Sequence, residues 1–83
     1  MDFLTEKVRE ILSVELRVNA DEIIDDRKLR ADLGMDSVAA LNILFAAEEA
    51  FGIQGIEITE LATVTTVADV ECLIRRYVAT RPS

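Results

Sequence analysis

DSVAALNILFAAEEAFG, from Asp36 to Gly52, is the most strongly helical stretch of the chain. It contains no proline, its only glycine is the last residue, and alanine, the best helix former, recurs along it. Asp36 is a good N-cap residue, and Gly52 stands where the left-handed residue after a helix is commonly a glycine. We therefore predict a helix over about residues 36–51.

Helical spacing of apolar residues also marks both ends of the chain. The apolar residues Leu4, Val8 and Leu12 recur at this spacing, and Asp2 stands before them as the N-cap. This pattern predicts a helix over about residues 3–17. A capping-box-like Thr66-Val67-Ala68-Asp69 introduces another helix over about residues 66–79.

The remaining segments predict a loop and a short helix. Residues 18–35 have no helical period and form a long loop, with Gly34 at a tight bend. Residues 57–62 can form a short third helix. The sequence thus predicts an all-α fold, a small four-helix bundle of three long helices and one short one, in a single domain over residues 1–83 with a frayed tail at 81–83.

Composition limits the function of this chain. The net charge of −7, from 16 acidic and 9 basic residues, disfavours binding to nucleic acid or to anionic membranes. The N-terminal residues show no signal-peptide pattern and no apolar run is long enough to span a bilayer, so we expect a cytoplasmic protein without membrane insertion. We expect it to be a monomer.

Catalytic and metal-binding groups are scarce in the sequence. Histidine is absent, and the acidic pairs Asp25-Asp26 and Glu48-Glu49 have the character of solvated surface. Cys72, the only cysteine, falls within the last helix, where we expect it to be buried or half-buried. No base, nucleophile and orienting group come together in the pattern, so we predict neither an enzyme nor a metal site.

Ser37 is the residue most suited to chemistry. If Asp36 caps the helix, Ser37 is its first residue, and its hydroxyl is exposed at the positive end of the helix dipole beside unpaired backbone N–H groups. A phosphate ester would be stabilised there. The alternative is that Asp36 and Ser37 only cap the helix.

The order Leu33-Gly34-Met35-Asp36-Ser37-Val38, followed by a helix rich in Leu, Ile and Glu, resembles the phosphopantetheine attachment region of acyl carrier proteins. The long first loop, the Phe-Gly-Ile turn after the helix and the Thr66-Val67 start of the last helix also lie where this family has them. The resemblance covers essentially the whole chain.

The resemblance implies a carrier rather than an enzyme. A phosphopantetheinyl transferase would attach 4′-phosphopantetheine from coenzyme A to Ser37, with Asp36 as helix cap and transferase contact. The arm would hold acyl or other carboxylic intermediates as thioesters. The implied partners are that transferase, an acyl- or aminoacyl-loading ligase, and synthase or transferase enzymes of fatty-acid, polyketide or specialised biosynthesis.

The chain departs from the family pattern on the helix after Ser37. Val38 replaces the usual leucine, and Ala39 and Asn42 occupy places where the family commonly has acidic residues. The loop before it is partly basic, through Arg27, Lys28 and Arg30. We predict an unusually apolar partner-binding face formed by Val38, Leu41, Asn42, Phe45 and Glu49. The alternative is that some of these residues face the core.

Two further functions are compatible with the sequence. One is a carrier for a single aminoacyl group that a dedicated ligase loads. The other is a helical interaction domain that binds its partners non-covalently and has no prosthetic group.

Overall fold

Four α-helices account for the regular structure of residues 2–80, the part of the chain that the computed structural model describes. The helices are α1 (Phe3–Leu16), α2 (Ser37–Phe51), α3 (Ile58–Thr63) and α4 (Val67–Thr80). No strand occurs within the described residues, although Lys28 and Thr66 form an isolated antiparallel bridge. The predicted all-α bundle with a short third helix is confirmed. The tail predicted at residues 81–83 lies outside the described residues.

Local sequence signals define the helix ends. The Asp2 carboxylate accepts a 2.8 Å hydrogen bond from the Thr5 N–H at the start of α1. Gly52 ends α2 in the left-handed region, at φ +64°. The predicted capping box of α4 is confirmed, because the Asp69 N–H donates to Thr66 Oγ1 (3.3 Å) and the Thr66 N–H donates to Asp69 Oδ2 (3.1 Å). The N–H groups of Thr66 and Thr65 both donate to the Asp69 carboxylate, and these hydrogen bonds lower its pKa.

The core is formed by the apolar faces of the helices and by a few residues of the long loop. α1 packs against α2 and α4, and α3 packs against the same two helices. Leu12, Ile23, Leu29 and Val67 have essentially no solvent exposure. Burying an aliphatic side chain of this size stabilises a fold by roughly 1.5–3 kcal/mol. The inward face of α2 consists of Ala40, Ile43, Leu44, Ala47 and Phe51.

Backbone hydrogen bonds fasten the long loop to the start of α4. The Val67 N–H donates to the Arg27 carbonyl (3.1 Å), and the Ala68 N–H donates to the Asp25 carbonyl (3.0 Å). The loop therefore satisfies N–H groups that the first turn of a helix leaves without intrahelical acceptors. It also contains a 3₁₀ turn, Ala20–Glu22, which the sequence analysis did not predict.

Arg9 adds an ion-pair link between α1, the loop and α4. Its Nη2 lies 2.6 Å from Asp25 Oδ1, and its Nε lies 3.3 Å from Glu71 Oε1. The Arg9 and Glu71 side chains are only 21% and 14% exposed. The loop is thus held from both sides before it leads into α2.

The prediction that Cys72 is buried or half-buried is wrong, because the residue is exposed. The buried residues of α4 are Val67, Val70, Leu73 and Ile74. At about 100° of rotation per residue, position 72 lies on the opposite side of the helix. No α-helix in the described part of the chain is both long and apolar enough to cross a bilayer.

Candidate functional site

The start of α2 presents Ser37 at the protein surface. Asp36 precedes the helix in an extended conformation, and its Oδ1 accepts a 2.8 Å hydrogen bond from the Ala39 N–H. Its carbonyl accepts the N–H of Ala40 at 2.9 Å. Asp36 therefore caps the helix, and Ser37, its first residue, is exposed.

Polar groups at this helix start are available to a ligand. Within residues 2–80, the Ser37 hydroxyl makes no hydrogen bond, and the N–H groups of Ser37 and Val38 have no acceptor. The helix dipole places about half a positive charge at this end. Unpaired N–H groups and a positive dipole end together favour a phosphate group. A phosphate ester on the Ser37 oxygen fits these donors.

The segment that leads into Ser37 is held by the core. The Met35 N–H donates a 2.8 Å hydrogen bond to the carbonyl of Leu29, whose own N–H donates to the Thr65 carbonyl, also at 2.8 Å. Leu33 and Met35 are buried, and Gly34 between them adopts φ +74°, a conformation that disfavours other residues. The exposed hydroxyl thus follows directly on a fixed segment.

An apolar face of α2 extends from Ser37 along the helix. Val38, Leu41 and Phe45 are 69%, 42% and 57% exposed. Asn42 and Glu49 on the same side are exposed as well. The alternative that these residues face the core is therefore wrong. Their role in binding a partner stays a prediction, as does contact between Asp36 and a transferase.

The basic residues of the loop are visible in the sequence, but the pocket that two of them line is not. This pocket, of about 220 Å³, lies between Lys28 and Arg30 of the loop and the segment from α3 to α4, which includes Thr63 and Thr65. The hydrogen bond between Leu29 and Thr65 brings the two segments together. No local sequence pattern could have revealed the pocket, because its two walls are distant in the chain.

Comparisons with known proteins connect the site with a function. Residues 6–74 match the family model described as "Phosphopantetheine attachment site", and this range includes Asp36 and Ser37. The chain is also similar to a protein of Treponema denticola described as "Acyl carrier protein". The two are 33% identical over 54 residues, which make up 65% of this chain and 69% of that protein.

Proposed function

The chain belongs to the acyl carrier protein family, whose members carry a covalent 4′-phosphopantetheine group, and we propose that Ser37 is the residue to which this group is attached. The observation that supports this assignment is the exposed Ser37 hydroxyl, unpaired within the described residues, at the capped start of α2. It is accessible to an enzyme, and the adjacent N–H groups suit the negative charge of a phosphodiester.

The other serines of the chain fit this role less well. Ser13 lies within α1, is only partly exposed, and its hydroxyl donates a 2.6 Å hydrogen bond to the Val18 carbonyl. Ser83 lies outside the range that matches the family model. Ser37 combines accessibility, a free hydroxyl and a place within that range.

Each residue at the start of α2 has a distinct part in this proposal. Ser37 supplies the oxygen that bonds to the pantetheine-side phosphorus of coenzyme A, and its proton passes to a base of the transferase. The pyrophosphate bond of coenzyme A breaks, and adenosine 3′,5′-bisphosphate leaves. Asp36 keeps the helix start closed through its bond to Ala39 and contacts the transferase. When attached, the arm supplies a terminal thiol on which cargo is held as a thioester.

The partner enzymes would bind the apolar face formed by Val38, Leu41, Asn42, Phe45 and Glu49. No acidic residue lies in the first turn of α2, and Glu49 is at the far end of the face. Such a surface binds chiefly by burying apolar area, which depends little on ionic strength. We propose synthases or transferases of fatty-acid, polyketide or specialised biosynthesis as partners, with a loading ligase, and a monomeric carrier in the cytoplasm.

Loading with coenzyme A tests the proposed attachment. The protein is incubated with coenzyme A, Mg²⁺ and a broad-specificity phosphopantetheinyl transferase, and its intact mass is measured. We expect a gain of one phosphopantetheine, retained in Ser13→Ala and lost in Ser37→Ala. A chain that no transferase modifies would instead be an interaction domain without a prosthetic group.

A further inference from the structure

The pocket between the long loop and the segment from α3 to α4 has a cationic wall. Lys28 and Arg30 line one side, Thr63 and Thr65 line the other, and no acidic side chain lines it. The Thr63 hydroxyl donates to the Glu60 carbonyl (2.8 Å), whereas the Thr65 hydroxyl makes no hydrogen bond within residues 2–80. The pocket therefore offers two cations and one free hydroxyl donor to a ligand.

The two cations of the pocket are not neutralised by ion pairs. Within residues 2–80, Lys28 and Arg30 make no ion pair, although other basic residues do: Lys7, Arg9, Arg75 and Arg76. Two carboxylates of the adjoining segments accept hydrogen bonds from backbone N–H groups instead. Asp32 accepts the Lys28 N–H at 2.9 Å, and Asp69 accepts the N–H of Thr65 at 3.2 Å. In a chain of net charge −7, this pocket is a place where an anion would not be repelled.

The pocket is close to the proposed attachment residue. The Leu29 carbonyl, between the two cations in sequence, accepts the Met35 N–H at 2.8 Å. Met35 precedes Ser37 by two residues, so their Cα atoms are at most about 7 Å apart. An arm on Ser37 therefore starts a few residues from the loop that lines the pocket, and its flexible free end can fold back to the pocket.

We propose that Lys28 and Arg30 bind the carboxylate at the free end of a short dicarboxylic acyl group carried by this protein. The inference rests on the proposed attachment at Ser37. A guanidinium presents paired N–H donors that match a carboxylate, and an ammonium adds a compact positive charge. The volume of about 220 Å³ is below the roughly 300–1,000 Å³ of sites for drug-sized ligands, so the pocket suits the end of a short chain.

Tethering explains how such a site can work. Exposed cations bind a free carboxylate weakly, because water solvates both partners and salt screens them. A short flexible tether gives its end an effective concentration in about the millimolar range. A weak site can therefore be occupied by a cargo on the arm while free carboxylic acids do not compete.

Two cargoes that differ only at their ends test the proposal. Succinyl and butyryl groups have the same number of carbon atoms, and only the first ends in a carboxylate. Each is loaded from its coenzyme A thioester by a broad-specificity transferase, and the intact mass is measured before and after the spectra. Failure to load either group would contradict the attachment at Ser37, on which this proposal rests.

Amide chemical shifts of the loaded protein then report on the pocket itself. Relative to the arm without cargo, we expect the succinyl form to shift the amide signals of Lys28, Arg30, Thr63 and Thr65, and the butyryl form to leave them unchanged. The shifts should disappear in the double variant K28Q/R30Q. They should also weaken near 1 M salt, where the Debye length falls to about 3 Å.

Arg27→Gln is the control, because it removes one positive charge from the same loop at a position that does not line the pocket. It should retain the succinyl-dependent shifts. Equal shifts in both loaded forms would contradict the proposal, since they would report contact with the chain rather than the carboxylate. If the arm without cargo already shifts these amide signals fully, relative to the protein without the arm, the cations bind the phosphodiester. If no form shifts them, the pocket does not bind the cargo. Either result overturns the proposal.

Discussion

The Asp36 carboxylate and the Ala39 N–H form a 2.8 Å hydrogen bond that closes the first turn of α2 around Ser37. The bond satisfies an N–H that the helix cannot satisfy itself, and it leaves the serine hydroxyl exposed. Because the cap precedes Ser37 in sequence and bonds to Ala39 after it, the helix start is held without using the serine side chain. This relationship separates the structural role of Asp36 from the chemical role of Ser37.

Two substitutions of Asp36 should distinguish its role as helix cap from the role of its negative charge. Asp36→Ala removes the bond to Ala39 and should lower the free energy of unfolding by about 0.5–2 kcal/mol. Asp36→Asn keeps a capping oxygen and should stay close to wild type in urea unfolding. If Asp36 also contacts the transferase through its charge, both variants should be loaded more slowly. Loading of Asp36→Asn at the wild-type rate would contradict the transferase contact while leaving the cap intact.

Removing the Arg9 guanidinium should loosen the long loop. Arg9→Met keeps an apolar stem but leaves the mostly buried Glu71 carboxylate without its ion-pair partner. We expect a loss of about 1–3 kcal/mol, between the values for exposed pairs and for broken buried pairs. Urea unfolding measures the loss. Faster amide exchange at Val67 and Ala68, whose N–H groups donate to the loop, should accompany it.

The control for this change is Lys7→Met, on the same helix. Lys7 pairs with Glu10 at 3.4 Å on the surface of α1, and such pairs contribute at most about 1 kcal/mol. An Arg9→Met protein no less stable than Lys7→Met would show that the Arg9 link does not hold the loop.

The charge of Asp2 should make stability depend on pH in the acid range. Hydrogen bonds from Thr5, with a contribution from Arg75, lower the pKa of Asp2 from 3.8 to about 2. Between these pH values the unfolded chain binds more protons at this residue, so its contribution to stability is fully present above pH 3.8 and is lost as the pH falls towards 2. Urea unfolding of wild type and Asp2→Asn over this range measures it.

The asparagine variant keeps a capping oxygen and removes the charge that titrates, together with its ion pair to Arg75. The difference in free energy of unfolding between the two proteins should be constant above pH 3.8 and should shrink towards pH 2. A difference that stays constant over the whole range would assign the acid sensitivity to other carboxylates.

Two leucines of α2 should behave oppositely when shortened to alanine. Leu44 is 5% exposed, and Leu44→Ala should cost about 2–5 kcal/mol. Leu41 is 42% exposed, and Leu41→Ala should cost about 1 kcal/mol or less while weakening binding to a cognate partner enzyme. We expect that binding to vary little with salt. A steep loss of affinity at raised ionic strength would contradict an apolar partner face.

The helices could be predicted from the sequence because their signals are local. Asp2, Asp36, Gly52 and the Thr66–Asp69 box each act within a few residues, and the apolar periods of the long helices reflect one shared core. The expectation for Cys72 is wrong because it rests on the general tendency of free cysteine to be buried. The angular position of Cys72 on α4 indicates the exposed side of the helix.

Neither the attachment of the long loop to α4 nor the pocket could be predicted from the sequence. Both depend on hydrogen bonds between residues 25–29 and residues 65–68, which only the packed fold brings together. The same holds for the ion pairs of Arg9, since nothing in the spacing of Arg9, Asp25 and Glu71 indicates that they meet. The site at Ser37 was accessible to sequence reasoning because cap, serine and helix are consecutive.

Peptide mapping after loading tests the central claim, attachment at Ser37, most directly. Trypsin cleavage after Arg30 and Arg75 releases residues 31–75, in which Ser37 is the only serine. After treatment with coenzyme A, Mg²⁺ and a broad-specificity transferase, fragmentation of this peptide should place one phosphopantetheine on Ser37, and Ser37→Ala should remain unmodified. Modification at any other residue, or of the Ser37→Ala protein, would contradict the account.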